Sequence, residues 1–254
     1  MTQYSKLNSQ MKQVKKHVVF SLVAICFLAS SCVYYPRLTG IPLIREKGDT
    51  RIEGGATFMP PTLQASISHG LTDNIAIQVA GSFNAEDHYT HFAVGHFRNI
   101  ENRTVMELYG GFAFGHGYAY NGAKPGSLSG NFQQYFLQFN IGNIERRRAN
   151  FEPGAGLRLG YMTTQMTDNN FFSLLQQHDP LPVFNLNGIF VEPTVFMRFG
   201  GQNLKFHTAL GGAKWIQLTH KDKRLPWWGL NFGIGFSYSF GGESRRNTIG
   251  STNF

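Results

Sequence analysis

The stretch AEDHYTH puts Glu86, Asp87, His88 and His91 in one short run. A carboxylate beside an imidazole is what general acid/base hydrolysis needs, the one to orient the ring and the other to move the proton. His116, Asp168, His178, Asp179, His220 and Asp222 are scattered over other loops and strand ends. No GxSxG elbow, HExxH helix or metal-ligand spacing accompanies them, so Asp87, His88 and His91 are the catalytic candidates, with solvated loop residues as the plainer reading. No metal and no cofactor is expected.

Two further groups carry charge in patterns that could do work. Arg51, Glu53, Glu107, Glu152, Arg158, Glu192, Arg198, Lys205 and His207 fall in phase with small and polar neighbours. Facing one another inside a narrow enclosure they would pair and fill it, with Glu53, Glu107, Arg158, Glu192 and Arg198 as a polar network. A narrow pore, or a proton path through Glu107, Arg158 and Glu192, is the functional alternative. The loop THKDKRLPWW sets Lys221, Lys223 and Arg224 beside Trp227 and Trp228, a combination suited to anionic lipid headgroups or a partner's acidic surface. Arg146, Arg147, Arg148, Arg245 and Arg246 would meet partners at the opposite end.

Strands must position all of these. In GLNFGIGFSYSF, large apolar residues from Leu230 to Phe240 alternate with Asn231, Gly233, Gly235, Ser237 and Ser239. The same period recurs between turn signals and predicts ten strands. They cover Thr50 to Met59, Thr62 to Gly70, Ile75 to Asn84, His88 to Arg98, Thr104 to His116, Phe132 to Gly142, Phe151 to Gln165, Gly188 to Phe199, Leu204 to Trp215 and Gly229 to Phe240. The fourth run and the Pro60/Pro61 connection are irregular, which leaves eight or twelve strands open.

Such runs match the roughly 9 to 11 residues that cross a bilayer at a tilt. Connections at Leu71 to Asn74, Ile100 to Arg103, Asn143 to Asn150 and Gly200 to Asn203 alternate with others at Pro60/Pro61, Ala85 to Asp87, Tyr118 to Gly130, Met166 to Asn187 and Ile216 to Trp227. In the second half every long loop falls on one side, as in barrels with short periplasmic turns and long external loops. Tyr109, Tyr118, Tyr120, Trp215, Trp227, Trp228, Tyr238 and Phe240 stand near strand ends, where interfacial girdles belong.

Aromatic residues are 14% and charged residues only 15%, with 23 Phe and 29 Gly, a balance that favours a lipid-facing β surface over a soluble lipocalin-like barrel. The formal charge of +8 owes half its excess to Lys6, Lys12, Lys15 and Lys16, in a segment without acids. It is therefore weak evidence for nucleic acid, and no RNP, zinc-finger or helix-turn-helix pattern supports such a partner. Lys12, Lys15 and Lys16 precede the apolar run Val18 to Ala29 and then ASSC, a secretory signal too short to span a bilayer as a helix. Translation begins at Met1 or Met11. Cys26 would leave with the signal, so the mature chain has no internal disulfide. Val33 to Gly48, with Pro and Gly and no period, reads as a tether.

LASSC resembles a bacterial lipoprotein signal in the looser Bacteroidota-type form, with Ala29 three residues before the cysteine. The resemblance implies lipidation of Cys32 as the mature N-terminus. From Thr50 to Phe240 the chain resembles the small outer-membrane β-barrel proteins, and FSYSF is similar to their terminal recognition strand, although GGESRRNTIGSTNF follows it.

The expectation is an all-β, closed antiparallel up-and-down transmembrane barrel in the bacterial outer membrane. Its parts are a signal peptide (1–31), a lipidated cysteine and tether (32–48), the barrel (49–240) and a periplasmic tail (241–254). Its expected role is that of a non-enzymatic accessory or scaffold subunit of an envelope complex for barrel assembly, secretion or uptake, in contact with outer-membrane lipids and protein partners. A rim hydrolase acting on lipid A or peptides, through Asp87 and His88, is the rival.

Overall fold

The computed structural model describes residues 40–58, 61–85, 87–100, 104–120, 127–144, 151–169, 183–219 and 229–241; at 119, 120, 127, 168 and 169 only the backbone is described. Eleven strand segments occur: β1 (Thr50–Phe58), β2 (Pro61–Gly70), β3 (Ile75–Phe83), β4 (His88–Ile100), β5 (Thr104–Tyr120), β6 (Ser127–Asn143), β7 (Phe151–Asn169), β8 (Val183–Gly200), β9 (Leu204–Gly212), β10 (Lys214–Gln217) and β11 (Leu230–Phe240). Each neighbour in chain order pairs antiparallel through β8, and β11 pairs with both β1 and β9 to close the ring.

β9 and β10 are one strand. The register that sets Thr194 opposite Gly211 continues unchanged to Val191 opposite Lys214. Between them stands Pro193, which has no N–H to give the ladder, and the pairing lapses opposite it. The fold is therefore the expected closed ten-stranded barrel.

Alternation decides the two faces. Leu137 is 61% exposed and Phe236 60%, while their neighbours Gln138 and Ser237 are each 1% exposed. On β7 the outward apolar run extends from Phe151 to Tyr161, about 25 Å along the barrel axis for strands tilted near 40°. That is the height of a hydrocarbon core. No helix among the described residues is long and apolar enough to cross a membrane, and crossing falls to the strands.

Above the belt the outward face turns polar along one level. Gln133 pairs with Thr163 and Thr163 with Asn187, while Asn131 pairs with Gln165 and Gln165 with Asn185. β5 to β8 continue past this row, whereas β1 to β3 do not. The wall is consequently taller on one side, and the predicted loops from Tyr118 and from Met166 are partly strand: β5 reaches Tyr120, β6 begins at Ser127, β7 reaches Asn169 and β8 begins at Val183.

At the opposite end two turns are described, β2–β3 and β8–β9, and both are tight. In the β2–β3 turn the Thr72 hydroxyl accepts from the Ile75 amide at 3.0 Å and donates to Asn74 Oδ1 at 3.0 Å. Gly200 holds φ +143° between β8 and β9, a backbone that a side chain would strain.

Two of the expected girdle aromatics are luminal instead. Tyr109 has no exposure and Trp215 is 6% exposed, both in phase with inward neighbours; Tyr238 and Phe240 do face outward at the short-turn end. Trp227 and Trp228 lie outside the described residues.

A cation on the belt should be costly. Leu137→Arg is expected to destabilise the folded barrel in lipid by about 2–4 kcal/mol, and Gln133→Arg on the polar row by about 1 kcal/mol or less. Urea unfolding in liposomes reads both.

Candidate functional site in the lumen

A ring of ten strands leaves little width, and its inner face divides into two layers. Toward the long-loop end Tyr89, Phe132, Phe136, Met162, Met166, Leu186, Phe190 and Trp215 are buried together. Several of the large rings lie over a glycine of an adjacent strand. A methyl at Gly160 would stand 2.4 Å from Phe190 Cζ, one at Gly188 2.4 Å from Trp215, and one at Gly95 2.4 Å from Tyr109. These glycines supply the space that the aromatics occupy.

Toward the short-turn end the lumen is ionic. All nine charged residues expected inside are there, each with 6% exposure or less. Glu152 is the centre: Arg45 stands 2.8 Å from it, Arg51 3.3 Å, Lys205 3.7 Å and Arg198 3.9 Å. Arg198 also pairs with Glu53 at 2.5 Å, and its guanidinium lies 4.3 Å from the Phe196 ring centre. Glu152 was placed inward by its phase, but its role as the shared partner of four cations was not legible from spacing.

Glu107 and the Arg158–Glu192 pair are separate from this centre. Arg158 stands 3.5 Å from Glu192 and donates to Gln138 Oε1 from Nε at 2.8 Å and Nη2 at 2.6 Å. Gln138 in turn donates to Asn140 Oδ1 at 3.0 Å, and Asn140 to Glu107 at 2.9 Å. Two carboxamides thus separate Glu107 from Arg158. A carboxamide holds a donor and an acceptor in place and does not take up and release a proton in this range, so the chain of contacts is structural.

The segment read as a tether contributes to the lumen. From Gly40 to Gly48 the chain runs inside the barrel and out at the short-turn end, joining β1. Leu43 and Ile44 are fully buried, and the Ile44 amide donates to Glu107 Oε1 at 2.7 Å. Nothing in its composition marked it, because a segment held by side chains needs no hydrophobic period. A cleft between Ile41, Gln138, Asn140 and Glu192 has room for about one water molecule.

The catalytic candidates do not converge. Asp87 accepts the Tyr118 amide at 2.5 Å and the Asn84 side-chain amide at 3.1 Å, bridging two chain segments at the long-loop end. His88 points outward, its ring stacked on His116 at 5.9 Å, and His116 bonds Asn131 of the polar row at 3.0 Å. His91 points inward, held by the Tyr89 hydroxyl and Gln78 Oε1, each at 3.1 Å. A wall of the barrel separates the two histidines. No cluster of three metal-ligating side chains occurs among the described residues. Cys32, Arg146 to Arg148, Lys221, Lys223, Arg224, Trp227, Trp228, Arg245 and Arg246 lie outside them.

No protein-family model matches the chain, and no curated protein does. Solved structures do. The outer membrane protease OmpT from Escherichia coli superposes with a TM-score of 0.51 at 9% identity, over 76% of this chain and 93% of that one. The fold is that of the bacterial outer-membrane β-barrels. The N-terminal barrel domain of Pseudomonas aeruginosa OprF also matches, at TM-score 0.33 and 11% identity over 76% and 98% of the two chains, as does the KdgM porin at 0.34 and 11% over 76% and 99%. An outer-membrane β-barrel with an ionic lower lumen follows, and an outer-membrane location is supported.

Within this barrel, removing one carboxylate should expose the imbalance it conceals. Glu152→Gln leaves four cations around a neutral amide and is expected to cost about 3–5 kcal/mol. Glu192→Gln, which removes the pair with Arg158 at 3.5 Å, should cost less. Denaturant unfolding of the two purified variants ranks them.

Proposed function

We propose that this chain is an outer-membrane barrel lipoprotein, anchored a second time through Cys32, that serves as a non-enzymatic accessory or scaffold subunit of an envelope complex. The observation that carries this reading is the filled lumen. Aromatic and methionine side chains occupy its upper half, and the ionic cluster with Gly40–Gly48 its lower half. A barrel that neither conducts nor encloses a substrate acts through its surfaces.

Those surfaces face both ways. The tall wall of β5 to β8, with its row of Asn, Gln and Thr side chains, rises at the long-loop end. The basic loop with Lys221, Lys223, Arg224, Trp227 and Trp228 would add contacts to lipid headgroups or to a partner there, and Arg146 to Arg148 would do so in the periplasm. Barrel assembly, secretion and nutrient uptake are the machines with such subunits in this membrane. Among the described residues the scaffold reading is favoured over the hydrolase, since His88 and His91 are on opposite faces and Asp87 accepts the Tyr118 amide.

Crosslinking in native membranes followed by mass spectrometry should recover a stoichiometric envelope protein with this chain. Recovery of the barrel alone, together with lipid or peptide hydrolysis abolished by Asp87→Ala or His88→Ala, would replace the scaffold reading with the enzymatic one. Metabolic fatty-acid labelling should be lost in Cys32→Ala. In planar bilayers the purified protein should give no large, stable single-channel current.

A further inference from the structure

The segment Gly40–Gly48 is held in the lumen the way a ligand is held. None of its residues belongs to a strand, and the barrel closes without it through the β1–β11 and β8–β9 pairings. Side chains of the wall read its backbone. Gly40 O accepts from Gln78 Nε2 at 3.0 Å and Gln138 Nε2 at 2.6 Å, and Ile41 O accepts from Arg198. The Ile44 amide donates to Glu107, and Arg45 O accepts from Asn99 Nδ2 at 2.5 Å.

Its side chains enter seats made by glycines. A methyl at Gly142 would stand 2.3 Å from Leu43 Cδ1, and one at Gly156 would stand 2.7 Å from Ile41 Cδ1. Arg45 completes the set by its 2.8 Å pair with Glu152 at the mouth. Leu43 adopts φ +53°, a left-handed backbone that a non-glycine residue takes at a cost and keeps only where its surroundings impose it.

From these contacts we infer that the lower lumen is a peptide-binding site open to the short-turn mouth, occupied in cis by Gly40–Gly48 and able to exchange it for another segment of the same chemistry. That chemistry is a non-strand run that begins with a small residue, carries apolar side chains at the second, fourth and fifth positions and a cation at the sixth, and turns left-handed at the fourth. Exchange leaves the strand pairings in place, because from Gly40 to Arg45 the wall contacts are made by side chains; the one main-chain bond to a strand, Gly48 N–H to Gly70 O at 2.8 Å, lies at the end of the segment next to β1. It does require that a newcomer replace the Ile44 amide at Glu107 and the Arg45 charge at Glu152, since either carboxylate left bare in the lumen is costly. The site stands whether or not the barrel belongs to a larger complex.

The probe is the nonapeptide GIPLIREKG with a photoreactive residue in place of Leu43, added to the purified full chain in micelles. Saturable crosslinking to β5 or β6 beside Gly142 is expected, at least tenfold weaker with the Arg45→Glu form of the peptide. The double variant Leu43→Cys/Gly142→Cys should lock the resident segment when oxidised, reduce crosslinking at least tenfold, and recover it on reduction. Ile41→Cys/Gly156→Cys provides a second lock at another seat. Absence of luminal crosslinking, or equal crosslinking with the locked and reduced forms, would overturn exchange and leave Gly40–Gly48 a permanent part of the core.

Discussion

A strand edge in hydrocarbon has no water to satisfy its N–H and C=O groups, so β11 must find partners on both sides, in β1 and in β9. Ten strands meet that requirement with a ring narrow enough for side chains from opposite walls to touch. Everything inside follows from this width. The bulkiest inner rings find room where a neighbouring strand offers a glycine, as where Phe190 faces Gly160 and Trp215 faces Gly188. Elsewhere the inner face is small or polar, as on β2, where Thr62, Gln64, Ser66 and Ser68 point inward.

The same width turns the inward charges into a mutual obligation. An ion withdrawn from water costs several kcal/mol unless partners surround it, and here the partners come from strands far apart in sequence. Glu152 on β7 is met by Arg51 from β1, Arg198 from β8 and Lys205 from β9, so the ionic layer ties the first strand to the later ones across the lumen. Arg45 then couples the incoming chain to that layer. Stability in the lower half therefore rests on a network, and the apolar upper half rests on packing.

Much of this was legible in the sequence because a strand has a period of two and lipid is unforgiving of errors in it. The phase that puts Leu230, Phe232 and Phe236 outward also places Arg51, Glu152 and Arg198 inward without any knowledge of their partners. What failed did so for identifiable reasons. Tyr109 and Trp215 have the amphipathic character of girdle residues, and only a glycine on the adjacent strand distinguishes a luminal seat from an interfacial one. The ends of β6 and β7 at Ser127 to Asn131 and Met166 to Asn169 rise beyond the apolar belt, so no hydrophobic alternation marks them. His88 and His91 are three residues apart, an odd spacing that sends them to opposite faces of β4; the separation is arithmetic once the run is recognised as strand. Gly40–Gly48 had no signal at all, because its fit is written in Gly142, Gly156, Glu107 and Glu152, far along the chain.

A lumen packed this way constrains function by elimination of volume. Solute passage would require moving the Phe and Met side chains of the upper layer as well as the segment below them, and Phe132, Phe136 and Phe190 rest against Gly115, Gly111 and Gly160. The lower segment differs in kind: from Gly40 to Arg45 it is held by wall side chains and one ion pair, and only at Gly48, where its amide donates to Gly70 O at 2.8 Å, does it bond the main chain of a strand. Side-chain contacts to a non-strand segment are therefore concentrated toward the short-turn mouth, and strand pairing extends furthest at the tall wall. On that division the segment at the short-turn mouth, with its Ile44 amide on Glu107 and its Arg45 on Glu152, is the part of the lumen whose contacts are specific in both hydrogen bonding and charge.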